Sequence, residues 1–111
     1  MKTSELTGAA LDWAVAKCEG IDYMKDDVRF RGAYARKYST DWSQGGAIIE
    51  REKIDVMWCG DRWCAYTADA ECTTGEVRQL VTEGATPLIA AMRGYVASKL
   101  GDEVELPEEL A

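Results

Sequence analysis

The 111-residue chain contains no histidine. That absence removes the side chain that most often acts as general base near neutrality, and with it the usual zinc ligand, serine triads and most cofactor-free hydrolase designs. No apolar run approaches the roughly 18 residues needed to span a bilayer, and the opening "MKTSELTG" has no apolar segment behind a basic one, so neither a membrane span nor a secretory signal is expected. Basic residues are in deficit: 13 Lys and Arg stand against 20 Asp and Glu, a formal charge of −7. That surplus opposes counterion-release binding to a phosphate backbone and argues against direct nucleic-acid binding. No internal repeat, low-complexity tract or proline-rich linker divides the chain, and its length suits one core, so residues 1–111 read as a single domain.

What is present is ordinary for a globular protein, with 47% hydrophobic and 30% charged residues. The charge is unevenly placed. Residues 25–37, "KDDVRFRGAYARK", hold five basic and two acidic groups, whereas 102–109, "DEVELPEE", hold five acids and no base. A cytosolic location is the expectation, in which Cys18, Cys59, Cys64 and Cys72 remain thiols.

The first element reads as a helix, with Thr7 as N-cap, Leu6 and Leu11 at the positions of a hydrophobic staple and Gly20 as its stop. Leu11, Ala14, Val15 and Cys18 recur at helical spacing. Val28 and Phe30 alternate with Arg29 and Arg31, a half-exposed strand pattern. A polar loop, "STDWSQGG", is expected next, followed by strand-like "AIIERE" (47–52) and "KIDVMW" (53–58).

"KIDVMWC" and "RWCAYTA" flank Gly60-Asp61, and glycine first in a two-residue loop predicts a type II′ hairpin. In that register Trp58 opposes Trp63 and Cys59 opposes Arg62. Ile54, Val56, Trp58, Trp63, Ala65 and Thr67 then share the core face, and Asp55, Met57, Cys59, Arg62, Cys64 and Tyr66 the other. The type of "VRQLV" (77–81) stays open. The last helix is capped by Thr86 with Pro87 in its first turn and Gly101 beyond its end; Leu88, Ile89, Met92, Tyr95 and Val96 form its docking face. Gly94 in mid-helix predicts a close neighbour. The expected architecture is α+β: a small antiparallel sheet of about four strands with an N-terminal and a C-terminal helix packed on it.

No catalytic set emerges. Glu50, Glu52 and Asp55 lie close in sequence, but a solvated strand face accounts for them equally well. Cys59 and Cys64 would sit diagonally at about 7 to 8 Å, too far for an unstrained disulfide, and read as small buried hydrophobes rather than metal ligands. No metal or other cofactor is expected.

Candidate ligand-binding residues are Arg29, Arg31, Tyr38, Asp41, Trp42, Gln44, Gly45, Gly46 and Thr86. Guanidinium beside aromatic rings suits a phosphorylated, nucleobase-bearing molecule; the glycine pair permits close backbone approach; and the last helix offers amide groups at its start. The bland alternative stands beside it: arginines paired with surplus acids, an Asx-type turn, Trp42 as a lid over the sheet edge, and Thr86 capping its own helix.

"TSELTGAALDWAVAKCEG", "STDWSQGGAIIERE" and "TPLIAAMRGYVASKLGDEVELPEEL" together resemble the NinX-type family of small proteins from tailed phages and prophages of enteric bacteria. The resemblance covers most of the chain and diverges at about 21–37 and 60–80. It implies a phage accessory protein in the host bacterial cytoplasm and carries no assigned activity. The family pattern has proline after the glycine pair and cysteine after the helix arginine; here Ala47 and Gly94 occupy those places, which argues against a thiol role beside Arg93.

Two readings follow. One is a non-enzymatic sponge for a small phosphorylated or nucleotide-like ligand in counter-defence. The other is an acidic interaction module that binds and inhibits a host protein, its carboxylate tail imitating a nucleic-acid surface. The aromatic-rich second sheet face also suits a homodimer.

Overall fold

A computed structural model describes residues 1–20, 37–68 and 79–106. A short 3-10 turn, Thr3–Glu5, leads to α1, Gly8–Cys18. Helix α2 spans Trp42–Glu52. The antiparallel sheet follows, with β1 at Asp55–Trp58, β2 at Trp63–Ala68 and β3 at Gln79–Gly84, in the order β1-β2-β3. Helix α3, Pro87–Leu100, closes the fold.

The protein is thus α+β, with three helices and three strands among the described residues rather than four strands and two helices. The correction falls on residues 42–52, which form a helix in place of a loop and a strand. Asp41 caps it: its carboxylate accepts from the Ser43 N–H at 2.9 Å and the Ser43 hydroxyl at 2.6 Å. Gly45 and Ile48 are buried and Ile49 and Glu52 half-buried, an i, i+3, i+4, i+7 pattern that only a helix turns to one side. Glycine disfavours helix by about 1 kcal/mol relative to alanine. Packing overrides that propensity at Gly45, where a Cβ would collide with the Tyr38 carbonyl and lie 2.7 Å from Leu88 Cδ2.

The open segment 77–81 resolves in part as β3, which begins at Gln79. The strand expected around Val28 and Phe30 lies outside the described residues.

The hairpin register is as expected. Trp58 pairs with Trp63, the Cys59 N–H donates to the Arg62 carbonyl at 2.9 Å, and Gly60 has φ +94. Ile54, Ala65 and Thr67 are buried on the predicted core face. Trp58 is the exception at 54% exposed; it lies edge-on to Trp63, ring centroids 5.4 Å apart. On the other face Cys64 is buried and Cys59 exposed, so the reading of both as buried hydrophobes holds for Cys64 alone.

Helix α3 is the centre of the core. Leu88, Met92, Tyr95 and Val96 are buried as expected, but so are Ala90, Ala91 and Gly94, so the helix is covered on both sides rather than along one docking face. The sheet takes the small-residue side: a Cβ on Gly94 would collide with the Thr67 hydroxyl and lie 2.8 Å from that of Thr82. Thr82 Oγ1 donates to the Ala90 carbonyl at 2.8 Å. Helix α1, with its staple pair Leu6 and Leu11 fully buried, packs against the same core.

The two ends of the described chain are clasped. Thr3 N–H donates to the Asp102 carbonyl at 2.7 Å, Val104 N–H to the Met1 carbonyl at 2.9 Å, and the Thr3 hydroxyl to the Gly101 carbonyl at 2.7 Å. Lys2 and Glu103 form an antiparallel bridge, and Val104 is buried beneath it.

Candidate functional site

Residues 37–46 build the start of α2 as a closed hydrogen-bonded unit. The Asp41 N–H donates to the Lys37 carbonyl at 2.7 Å, which tightens the turn that leads into the helix. Gln44 bridges the turn: its Oε1 accepts from the Lys37 N–H at 2.9 Å, and its Nε2 donates to Asp41 Oδ2 at 3.2 Å. The Ser43 hydroxyl, then the Ser43 N–H, hold the Asp41 carboxyl below the usual carboxylate range. Ser39 N–H donates to Asp12 Oδ1 at 2.8 Å and so anchors the turn to α1.

Within this unit the candidate residues take different places. Tyr38 is buried in the core, beneath Gly45. Asp41 and Gln44 bond each other and the cap. Trp42 is 56% exposed, and its ring edge lies 3.4 Å from where a Cβ on Gly46 would stand, one turn along the helix. The indole therefore lies along the surface of α2 rather than over the sheet edge.

Helix α2 runs beside α3 in the same direction. Gly45 faces Leu88, Arg51 Nη2 donates to the Tyr95 hydroxyl at 3.1 Å, and Lys99 Nζ stands 3.6 Å from Glu52 Oε1, so successive contacts advance together along both helices. The two helix starts share one end of the molecule. Thr86 occupies the second of them, with Oγ1 accepting from the Ile89 N–H at 3.1 Å. The structure thus brings Asp41, Trp42, Gln44, Gly45 and Gly46 to the same end as Thr86, while Arg29 and Arg31 lie outside the described residues.

The opposite end of the helix pair carries charge that a strand reading of 47–52 does not anticipate. Arg51 meets Glu19 at the end of α1 through two bonds, Nη1 to Oε1 at 3.0 Å and Nη2 to Oε2 at 2.9 Å. The Tyr95 hydroxyl donates to Glu19 Oε2 at 2.9 Å. Burial, then the Glu19 carboxylate, raises the Tyr95 phenol and also the neighbouring Cys18 thiol, the latter to about 11. These groups clamp three helices. Cys18 is held as the neutral thiol and is no nucleophile near neutrality.

Residues 2–99 match the family described as bacteriophage P22 NinX. The chain belongs to the NinX family. The match spans both helix starts and the clamp, and a comparison of the NinX-family chain with curated proteins finds no match.

Arg93 is a further residue that sequence reasoning left without a role. In this NinX-family fold its Nε donates to the Leu6 carbonyl at 2.8 Å and its Nη1 to the Glu83 carbonyl at 2.7 Å, which joins the entry of α1 to the end of β3. Burial lowers its pKa. Among the described residues no three His, Cys, Asp or Glu side chains group as a metal site, and no helix is long and apolar enough to cross a membrane.

Proposed function

We propose that this phage accessory protein acts by binding a host protein through its acidic terminal ribbon, without catalysis. The observation that carries the proposal is the clasp between residues 1–3 and 101–104. It holds Asp102 and Glu103 exposed on a backbone anchored by the buried side chains of Thr3 and Val104, with the exposed Glu105 next along the chain. Carboxylates on a fixed ribbon lose little freedom on binding, and fixed like charges steer a basic partner at long range. The overall charge of −7 acts in the same sense. The basic surface that would accept such a ribbon is of the kind that binds nucleic acid, so occupation by the ribbon would inhibit a host nucleic-acid-binding protein in the bacterial cytoplasm. Co-purification of one host protein that weakens steeply between low and moderate salt is the expected result; retention independent of salt removes the proposal.

A second reading is favoured by the shared end of α2 and α3. There the exposed Trp42 offers a stacking surface next to two helix starts, which suits a small phosphorylated, base-bearing ligand taken up as a sponge in counter-defence. Calorimetry against a nucleotide panel tests it, with Trp42→Ala expected to abolish any heat of binding.

A further inference from the structure

Sulfur at a protein surface is uncommon, because cysteine and methionine are among the side chains most often buried. Two such residues stand in the open on one face of the β1-β2 hairpin: Met57 is 54% exposed, and Cys59 is exposed as well. Cys64, on the same face of the neighbouring strand, is buried. Packing explains Cys64 but neither of the other two.

The hairpin register brings the three together. Met57 and Cys64 are direct cross-strand partners, and the bond from the Cys59 N–H to the Arg62 carbonyl carries the ladder one step further, so Cys59 lies diagonal to Cys64. At Cα the three positions form a triangle of about 5.5 Å for Met57–Cys64, about 7 Å for Met57–Cys59 and about 7 to 8 Å for Cys59–Cys64. The thiols turn into this triangle. Cys59 Sγ–H donates to the Met57 carbonyl at 3.9 Å, and the Cys64 thiol hydrogen-bonds Cys59.

We infer that Met57, Cys59 and Cys64 hold one Cu(I) ion, with two thiolates and a thioether as its ligands. The diagonal is too long for a direct S–S bond, which wants Cα atoms within about 6.8 Å. An ion between the sulfurs replaces one bond of about 2.05 Å by two of about 2.3 Å and so spans it. Softness selects the ion: thiolate and thioether sulfur favour Cu(I), whereas Mg²⁺ and Ca²⁺ take oxygen. Zinc wants a fourth ligand, and the carboxylate opposite Cys64 on β3, that of Glu83, is engaged: its Oε2 accepts from Arg62 Nη1 at 2.9 Å. Each thiol gives its proton to solvent as the ion binds, and the copper keeps its oxidation state. Met57, unbranched and with three rotatable bonds, brings its thioether over the ion without moving the strand. None of the three residues belongs to the acidic ribbon or to the helix starts.

Competition with the coloured Cu(I)–bicinchoninate complex, without oxygen and with ascorbate present, tests the site. The unaltered chain should withdraw one equivalent of copper, and X-ray absorption at the copper edge should show three sulfur neighbours. Cys59→Ser should weaken binding by more than about a hundredfold, beyond what loss of a hydrogen bond to a ligand costs. Met57→Leu should weaken it by roughly tenfold and leave two sulfur neighbours, because the thioether is the weakest of the three ligands. Both variants change exposed side chains, so circular dichroism should show the fold intact. Cys72→Ser, outside the described residues, should bind as the unaltered chain does. No copper withdrawn, equal affinity in Cys59→Ser, or three sulfur neighbours kept in Met57→Leu overturns the inference, as does loss of binding in Cys72→Ser.

Discussion

Gly94, in the middle of α3, lies against the hydroxyls of Thr67 on β2 and Thr82 on β3, with no room for a Cβ between helix and sheet. Alanine there gains about 1 kcal/mol of helix propensity. It also forces the helix off the sheet, at an overpacking cost of about 1–3 kcal/mol. Because the obstruction comes from both strands and Thr82 is held by its bond to Ala90, the second effect wins. Gly94→Ala should lower stability in urea denaturation; a rise in the midpoint would show that the sheet yields.

Thr67 is the other half of that contact. Its Oγ1 is buried and has no hydrogen-bond partner. A buried unpaired hydroxyl costs about 1–3 kcal/mol, and valine preserves its shape and suits a strand. Thr67→Val should therefore raise Tm. A fall in Tm would mean that the hydroxyl finds a partner in solution.

Lys53, just past α2, has φ 54, and the Ile54 N–H donates to the Ile49 carbonyl at 3.1 Å across it. This is the closure that glycine normally provides at a helix end. A side chain in the left-handed region costs about 1 kcal/mol or more. Lys53→Gly should consequently stabilise the protein by about 0.5 kcal/mol, after the extra freedom of glycine in the unfolded chain is deducted. Equal or lower stability in guanidinium titration contradicts this account of the turn.

Parts of this arrangement were legible without coordinates. Thr86-Pro87, Gly60-Asp61 and Gly94 each carry a local requirement: a cap, a positive φ, a close neighbour. Helix α2 was not legible because its requirement is tertiary. Gly45 and Gly46 look like a loop until Tyr38 and Leu88 are seen to occupy the space of a side chain, and the pair Ile48-Ile49 fits strand and helix periods alike. The candidate site suffered in the same way. Asp41, Ser43 and Gln44 read from the sequence as polar groups of a loop, yet only Asp41 lies outside the helix, as its cap, and Ser43 and Gln44 both bond it; the Glu19–Arg51–Tyr95 clamp is invisible until 47–52 is helical. Alternation along the strand places Trp58 on its face, but says nothing of how far that face is covered.

The clamp also sets an alkaline limit. Cys18 is raised from 9.0 to about 11, by burial first and then by Glu19. A group with a raised folded pKa contributes stability that is complete below its unfolded pKa and is lost as pH climbs through the folded one. Stability should hold up to about pH 9 and decline toward about pH 11, with Tyr95, also raised, adding to the fall at the upper end. Cys18→Ala should flatten the first part of that decline. An identical slope in the variant would remove Cys18 from the account.

The central claim is that the acidic ribbon, rather than the helix starts, is the surface that engages a host protein. It is tested most directly by quantitative capture of the same host protein with three baits: the unaltered chain, Trp42→Ala, and a chain carrying Asp102→Asn, Glu103→Gln and Glu105→Gln. The account predicts equal capture by the first two and a loss of at least tenfold with the third. Capture that persists on the neutralised ribbon, or disappears with Trp42 alone, contradicts it.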